Sequence, residues 1–184
     1  MCAEFDIKMT WYEYNRTLFI YTPNRIEYKL GFACFDLDWT LIRPNKGKFA
    51  TDINDMVIMS NRINVLKNLN ETGYNIVIFT NQKLTVRESI EFKLNRMNNF
   101  ISILRDNNID VMLFIATNED EYRKPNTAMW EHLNNIFGGE INKEYSFYCG
   151  DAAGRVQDFS DSDINFSKNI GIQFYYPEDL FGES

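Results

Sequence analysis

The sequence predicts an α/β fold, a doubly wound and mostly parallel sheet, on three observations. Strand-like apolar runs alternate with helix-like segments along the 184 residues. Most of those runs are continuously apolar, as strands buried on both faces of a parallel sheet must be. Polar residues stand at the ends of the runs, where open α/β sheets gather their ligands.

The first thirty residues fit a parallel sheet least well. TWYEYN (10–15) and TLFIYT (17–22) read as a small antiparallel pair, an N-terminal extension over 1–30 ahead of a core over 31–184, all in one domain. GFACFD (31–36) is the first core strand. A helix follows over about 60–72, stopped by Asn70-Glu71-Thr72-Gly73. NIVIFT (75–80) is the next strand, then a helix over 85–107 and VMLFIAT (111–117). A helix over 126–137, with Pro125 at its first position and Gly138-Gly139 at its end, leads to YSFYCG (145–150). A helix over 162–170 and the strand GIQFYY (171–176) close the pattern. No repeat, linker or low-complexity tract interrupts it.

Composition narrows the functional classes. Hydrophobic residues make up 45% and charged residues 24%, as in soluble globular proteins. No apolar stretch is long enough to span a bilayer, and MCAEFDIKMTWYEY lacks the pattern of a signal peptide, so no membrane role is expected. Cys2, Cys34 and Cys149 have no metal-ligand spacing and read as reduced thiols of an intracellular protein, cytoplasmic or nuclear. One histidine, His132, excludes a His-rich metal site and reads as a helix-surface residue. A net charge of −7 argues against coating nucleic acid by electrostatics alone, but not against gripping one strand end. Frequent Asn, Ile, Lys, Phe and Tyr share AT-rich codons, which fits an AT-rich genome, a viral one included.

The chemistry lies at the strand ends. In an extended chain Asp36 and Asp38 point the same way, with Leu37 opposite. Asp151 adds a third carboxylate from another strand. Such converging oxygens suit Mg²⁺; two strand-end aspartates can equally cap nearby backbone N–H groups. Thr80, followed by Asn81, offers a hydroxyl and amides to a phosphate oxygen, or a plain polar cap. Arg123 and Lys124 stand just before a predicted helix N-terminus, where cations are disfavoured unless an anion also binds; a solvated pair is the plainer reading. Gly150-Asp151-Ala152-Ala153-Gly154-Arg155 is a strand end followed by a small-residue turn.

Taken in order, Asp-x-Asp-x-Thr, then Thr, then Lys-Pro, then Gly-Asp resembles the haloacid dehalogenase-like phosphotransferase superfamily. FDLDWTLI, YNIVIFTNQ, IATNEDEYRKPNTAMWEHL and CGDAAGR with DFSDSDINFSKNIGI resemble the 3′-phosphatase domain of polynucleotide kinase/phosphatase enzymes over nearly the whole chain. The resemblance implies Asp36 as the nucleophile that becomes an aspartyl phosphate. It implies Asp38 as the acid that protonates the leaving 3′ oxygen and then the base that activates water, with neighbouring carboxylates favouring its protonated form. Asp36 and Asp151 would bind Mg²⁺ by side chain and Asp38 by its backbone carbonyl. Thr80 and Lys124 would neutralise phosphate oxygens. Thr40 would support the first loop, and Asp163 would orient metal-bound water.

The resemblance further implies a substrate of nucleic-acid 3′ ends, DNA ahead of RNA, in repair. Asp36 to Thr80 and Thr80 to Lys124 are each intervals of 44 residues, filled by core elements, so no large cap domain fits. RPNKGKFATDIND leaves room for a short hairpin flap. Arg43, Lys46, Lys48, Lys83, Arg87, Arg123, Lys124 and Arg155 would form a basic rim, or else scattered surface charges. Arg123, Arg155, Asn81, Thr40 and Trp39 are the expected substrate contacts, with Trp39 either packed under the flap or stacked on the terminal nucleoside. Trp130 reads as packed. No G-x-x-x-x-G-K-[ST] is present, so no 5′-kinase half is expected. KLTVRES replaces a loop that usually contains glycine, and Val156-Gln157 shortens the next. A small-molecule phosphatase, such as a histidinol-phosphate type, and an inactive module that binds nucleic-acid ends or a repair protein are the competing readings.

Overall fold

The computed structural model describes residues 11–85 and 89–182; Cys2 and Arg87 lie outside them. In chain order the elements are β1 (Trp11–Tyr14), β2 (Leu18–Tyr21), β3 (Gly31–Phe35), β4 (Ile42–Arg43), β5 (Val57–Ile58), α1 (Arg62–Glu71), β6 (Tyr74–Asn81), α2 (Ile90–Asp106), β7 (Val111–Ala116), α3 (Ala128–Ile136), β8 (Phe147–Cys149), α4 (Ser162–Ile170), β9 (Gln173–Tyr175) and α5 (Pro177–Phe181).

GFACF has no polar side chain to turn toward water, so β3 must be covered on both faces. It lies inside a seven-stranded sheet of order β1-β2-β7-β6-β3-β8-β9. β7, β6, β3, β8 and β9 are parallel, with Phe35 opposite Ile78 on one side and Cys149 on the other. β1 and β2 are antiparallel, as expected, and join the main sheet through β7, with Leu18 opposite Ala116. Alternate residues supply two cores. Ala33, Phe35, Ile76, Ile78 and Leu113 pack under α1, α2 and α5, with Leu66, Met97, Phe100 and Phe181. Phe32, Cys34, Val77, Phe79 and Phe114 pack under α3 and α4, with Met129, Trp130 and Phe166. Trp130 is thus packed, and His132 lies against the rings of Tyr14 and Tyr122.

Between β3 and β6 stand only the β4–β5 pair and α1, and between β6 and β7 only α2, so no large cap is present among the described residues. Two helices start later than their sequence patterns suggest. α2 begins at Ile90 because the Ser89 side chain caps it, accepting from the Phe92 amide. α3 begins at Ala128, so Pro125 is not its first residue. Residues 120–126 instead form turns tied by Asp120, which accepts from the Tyr122 amide at 3.0 Å.

The flap is residues 44–56, between the antiparallel strands β4 and β5. One side chain ties it. Asp55 accepts from the amides of Asn45 at 2.7 Å and Thr51 at 2.9 Å. The Thr51 amide, then the Asn45 amide, hold the Asp55 carboxyl below the ordinary carboxylate value. A depressed value means the tie is intact above the ordinary carboxylate range and is lost as pH falls through the depressed one. Asp55→Ala is therefore expected to speed hydrogen exchange at the Asn45 and Thr51 amides at neutral pH, while in the unsubstituted protein the same amides lose protection only below about pH 4.

Candidate active site

The strand order reverses between β3 and β8: the chain leaves β3 for β6 and β7 on one side, then crosses to β8 and β9 on the other. Open α/β sheets bind ligands at such a switch point. Asp36 follows β3 there, its amide donating to Cys149 O at 2.9 Å. Asp151 follows β8, and Asp163 enters from the first turn of α4. The carboxylates of Asp36, Asp151 and Asp163 each have an oxygen within 4.8 Å of the others.

Lys124 is buried among them. Its Nζ donates to Asp36 Oδ1, Asp163 Oδ1 and Tyr148 Oη, each at 2.7 Å. Tyr148 Oη donates in turn to Asp163 Oδ1 at 2.9 Å, and the Ala152 amide donates to Asp163 Oδ2 at 3.0 Å. The Thr40 hydroxyl accepts from the Asp151 amide at 3.0 Å and lies 3.4 Å from both Asp36 Oδ2 and Asp151 Oδ1. Burial, only partly offset by Lys124, pushes the Asp36 carboxyl well up. Burial and the Asp163 charge push Asp151 up to about 6. Burial would lower the Lys124 ammonium, but Asp163 and Asp36 outweigh it and raise it. Three carboxylates thus face one ammonium. That excess of negative charge on hard oxygen ligands fits a divalent cation.

One glycine makes the approach possible: a Cβ on Gly150 would overlap the Asp163 carboxylate. Gly150→Ala is expected to cost about 1–3 kcal/mol, since the carboxylate and its Lys124 bond must shift together. Chemical denaturation and turnover should both register the loss.

Asp38 is held separately. Arg96 Nη1 and Nη2 both donate to Asp38 Oδ1 at 3.1 Å, and Gln82 Nε2 donates to Oδ2 at 2.5 Å and to Thr80 Oγ1 at 2.9 Å. The side-chain hydrogen-bond partners of Asp38 are thus a guanidinium from α2 and an amide from the end of β6, not the neighbouring carboxylates. Arg62, the first residue of α1, donates from Nε to Thr40 O at 2.9 Å and lies over the Phe181 ring. It thereby fixes the loop that carries Asp38 and Thr40.

Other expected contacts are occupied differently. Asn81 exchanges two hydrogen bonds with the Lys124 backbone, at 2.9 and 3.1 Å, and so ties the Lys124 turn to β6. Arg155 pairs with Asp158 and Glu178 and lies over the Tyr176 ring, so its guanidinium braces the loop after β8. Lys83 pairs with Glu119 at 2.7 Å, and Lys124 is buried, so the basic rim is thinner than eight residues. Arg123 is half-buried, with Nη1 buried and unpartnered among the described residues. Trp39 is 40% exposed. Its φ of 65° lies in the left-handed region.

Arg96 and Tyr148 had no sequence signal, since an arginine inside a helix reads as surface and a tyrosine inside an apolar strand reads as core. Gln82 stands in the FTNQ strand end, but nothing local ties it to Asp38.

Comparison with known proteins agrees with this geometry. Residues 31–181 match the family described as polynucleotide kinase 3 phosphatase. An uncharacterized 20.8 kDa protein of Autographa californica nuclear polyhedrosis virus is 38% identical over 88% of this chain and 91% of its own length. The polynucleotide 3′-phosphatase ZDP of Arabidopsis thaliana is 30% identical over 93% of this chain, which spans only 27% of the plant protein. A solved D,D-heptose 1,7-bisphosphate phosphatase from B. bronchiseptica, complexed with magnesium and phosphate, shares the fold at 12% identity, with a TM-score of 0.65 over 84% of this chain and 87% of that one. The family match runs from β3 to α5 and takes in every residue of the acidic cluster, so the chain belongs to the polynucleotide kinase 3 phosphatase family.

Proposed function

We propose that this chain, acting as one domain over 1–184, is a phosphoric monoester hydrolase that removes phosphate from polynucleotide 3′ ends, DNA ahead of RNA, in an intracellular repair setting. The observation that carries the reading is the Asp36–Lys124–Asp163 cluster, buried at the switch point, beside loops that present aromatic rings to solvent. Trp39 is 40%, Phe49 78% and Phe159 99% exposed. They stand on the loop after β3, in the flap and on the loop after β8. Base–aromatic stacking is worth about 1–3 kcal/mol per base, so these rings suit a strand end better than a small ester. The family and the plant relative's name support the same substrate. Among the described residues no helix is long and apolar enough to cross a membrane.

In the proposed mechanism Asp36 attacks phosphorus, the bond to the 3′ oxygen breaks, and Asp38 gives that oxygen its proton. Asp38 then takes a proton from water, whose oxygen attacks the aspartyl phosphate and releases Asp36 and inorganic phosphate. Thr80 and Lys124 meet the phosphate oxygens, and Asp163 holds Lys124 beside Asp36. Mg²⁺, held by Asp36, Asp151 and the Asp38 carbonyl, would supply further charge neutralisation.

Phosphate release should be compared across 3′-phosphorylated DNA and RNA oligonucleotides, a 5′-phosphorylated one and a panel of small phosphomonoesters, with Mg²⁺ and with EDTA. Release from the 3′ ends, lost in EDTA, is expected. Release from small esters alone would sink the proposal, and no release at all would favour an end-binding module.

Trp39→Gly separates its possible roles. A non-glycine residue in the left-handed region is strained by roughly 1–2 kcal/mol. The variant is therefore expected to be at least as stable, yet to bind the oligonucleotide about 5- to 100-fold more weakly. Unchanged affinity would remove Trp39 from the substrate contacts.

A further inference from the structure

We infer that Arg96, assisted by Gln82, is the positioning residue that aims Asp38 at the reacting oxygens; this rests on the phosphatase reading above. Arg96 occupies the middle of α2 beside Met97, Phe100, Ile101 and Leu104, all buried in the core. A leucine there would cost far less than a guanidinium, because a charge taken out of water must be repaid by its partners. Arg96 is only poorly repaid by the fold. Its side chain is 4% exposed, and Nε is buried with no partner among the described residues. Both terminal nitrogens go to a single oxygen of Asp38, whose own side chain is 33% exposed.

The arrangement has a direct stereochemical consequence. A carboxylate offers about four lone-pair sites. Arg96 fills the two on Oδ1, and Gln82 fills one on Oδ2. One remains. That site receives and returns the proton, so the clamp decides which direction the acid and base chemistry faces. The same helix face also holds the flap: Asn99, three residues on, donates to Ile53 O at 3.2 Å and Asn54 Oδ1 at 3.1 Å. α2 therefore aligns Asp38 and the flap from one rigid element.

The test uses the full chain with Mg²⁺ and the variants Arg96→Met and Arg96→Lys. On a 3′-phosphorylated oligonucleotide, kcat is expected to fall about 10- to 100-fold with KM unchanged, the size of effect a misaimed group produces. On p-nitrophenyl phosphate, whose leaving group needs no proton, the first turnover should keep its rate. The second step still needs Asp38 to take a proton from water, so steady-state turnover slows and a burst of p-nitrophenol appears. Lys, which keeps the charge but not the fork, should rescue only in part. Folded variants with unchanged kcat would overturn the inference. So would a first turnover slowed as much as the steady state, which is the mark of general structural damage. If Arg96→Met does not fold, Arg96→Lys and Gln82→Met decide by the same readouts. A wild-type protein inactive on the oligonucleotide overturns the phosphatase reading itself, and the inference with it.

Discussion

Asp36→Asn is expected to abolish turnover while leaving the protein folded. An amide cannot attack phosphorus to give the acyl phosphate, so single-turnover phosphate release should fall by roughly 10⁴-fold or more. Stability should hold or rise. Asp36 is buried, and its carboxyl is already pushed up by that burial, so the charged form is the costly one. Lys124 keeps Asp163 and Tyr148 as partners when Asp36 loses its charge. A thermal melt beside the release assay distinguishes loss of chemistry from loss of fold. Activity within about a hundredfold of the unsubstituted protein would reject Asp36 as nucleophile.

Lys124→Met acts through the opposite imbalance. It removes the ammonium from between Asp36 and Asp163 and leaves the carboxylates unpaired in the interior. Breaking a buried pair in this way costs about 3–5 kcal/mol, and turnover should be lost as well. The pH dependence follows from the sign of the change. Without Lys124 the folded-state values of Asp36 and Asp151, already raised, rise further, so the folded protein binds protons that the unfolded chain releases. Stability is then regained as pH falls toward those raised values and lost as pH climbs through them. Urea unfolding at about pH 5 and about pH 7.5 should show the smaller deficit at the lower pH. Added Mg²⁺ should recover part of the deficit at the higher pH, because a cation substitutes for the missing charge. A deficit under about 1 kcal/mol at both values would mean the cluster is not charge-balanced by Lys124.

The parallel strands were legible because continuous apolar runs have no other stable location than the middle of a covered sheet. Knowing where those strands end was enough to predict that Asp36, Asp38, Thr80 and Asp151 would gather, since topology rather than side-chain chemistry brings strand ends together, whereas Lys124 follows no strand and its place at the site came only from the family resemblance. What the sequence withheld is the set of partners that depend on three-dimensional approach. Arg96 reaches Asp38 across 58 positions of chain, and Tyr148 reaches Lys124 across 24. Neither contact leaves a local pattern. Asp163 was expected to orient metal-bound water; its direct bond to Lys124, in the space that Gly150 leaves open, was not foreseen. The late start of α3 was hidden because Pro125 suits a helix beginning and a turn equally well, and Thr127 rather than Pro125 precedes the first helical residue. The two-residue strands of the flap and the five-residue α5 are too short to show a period.

The pairing of β2 with β7 also sets a schedule for the chain during its synthesis. Leu18-Phe19-Ile20-Tyr21 is buried in the finished protein, and its neighbour is the segment around Leu113–Ala116. At about 5–20 residues per second, the ribosome makes that neighbour roughly 5–20 seconds later. Throughout that interval the β2 edge lacks the strand it pairs with in the finished sheet. The hairpin therefore waits for β7, and the nascent chain is exposed to aggregation along that edge before β7 leaves the exit tunnel.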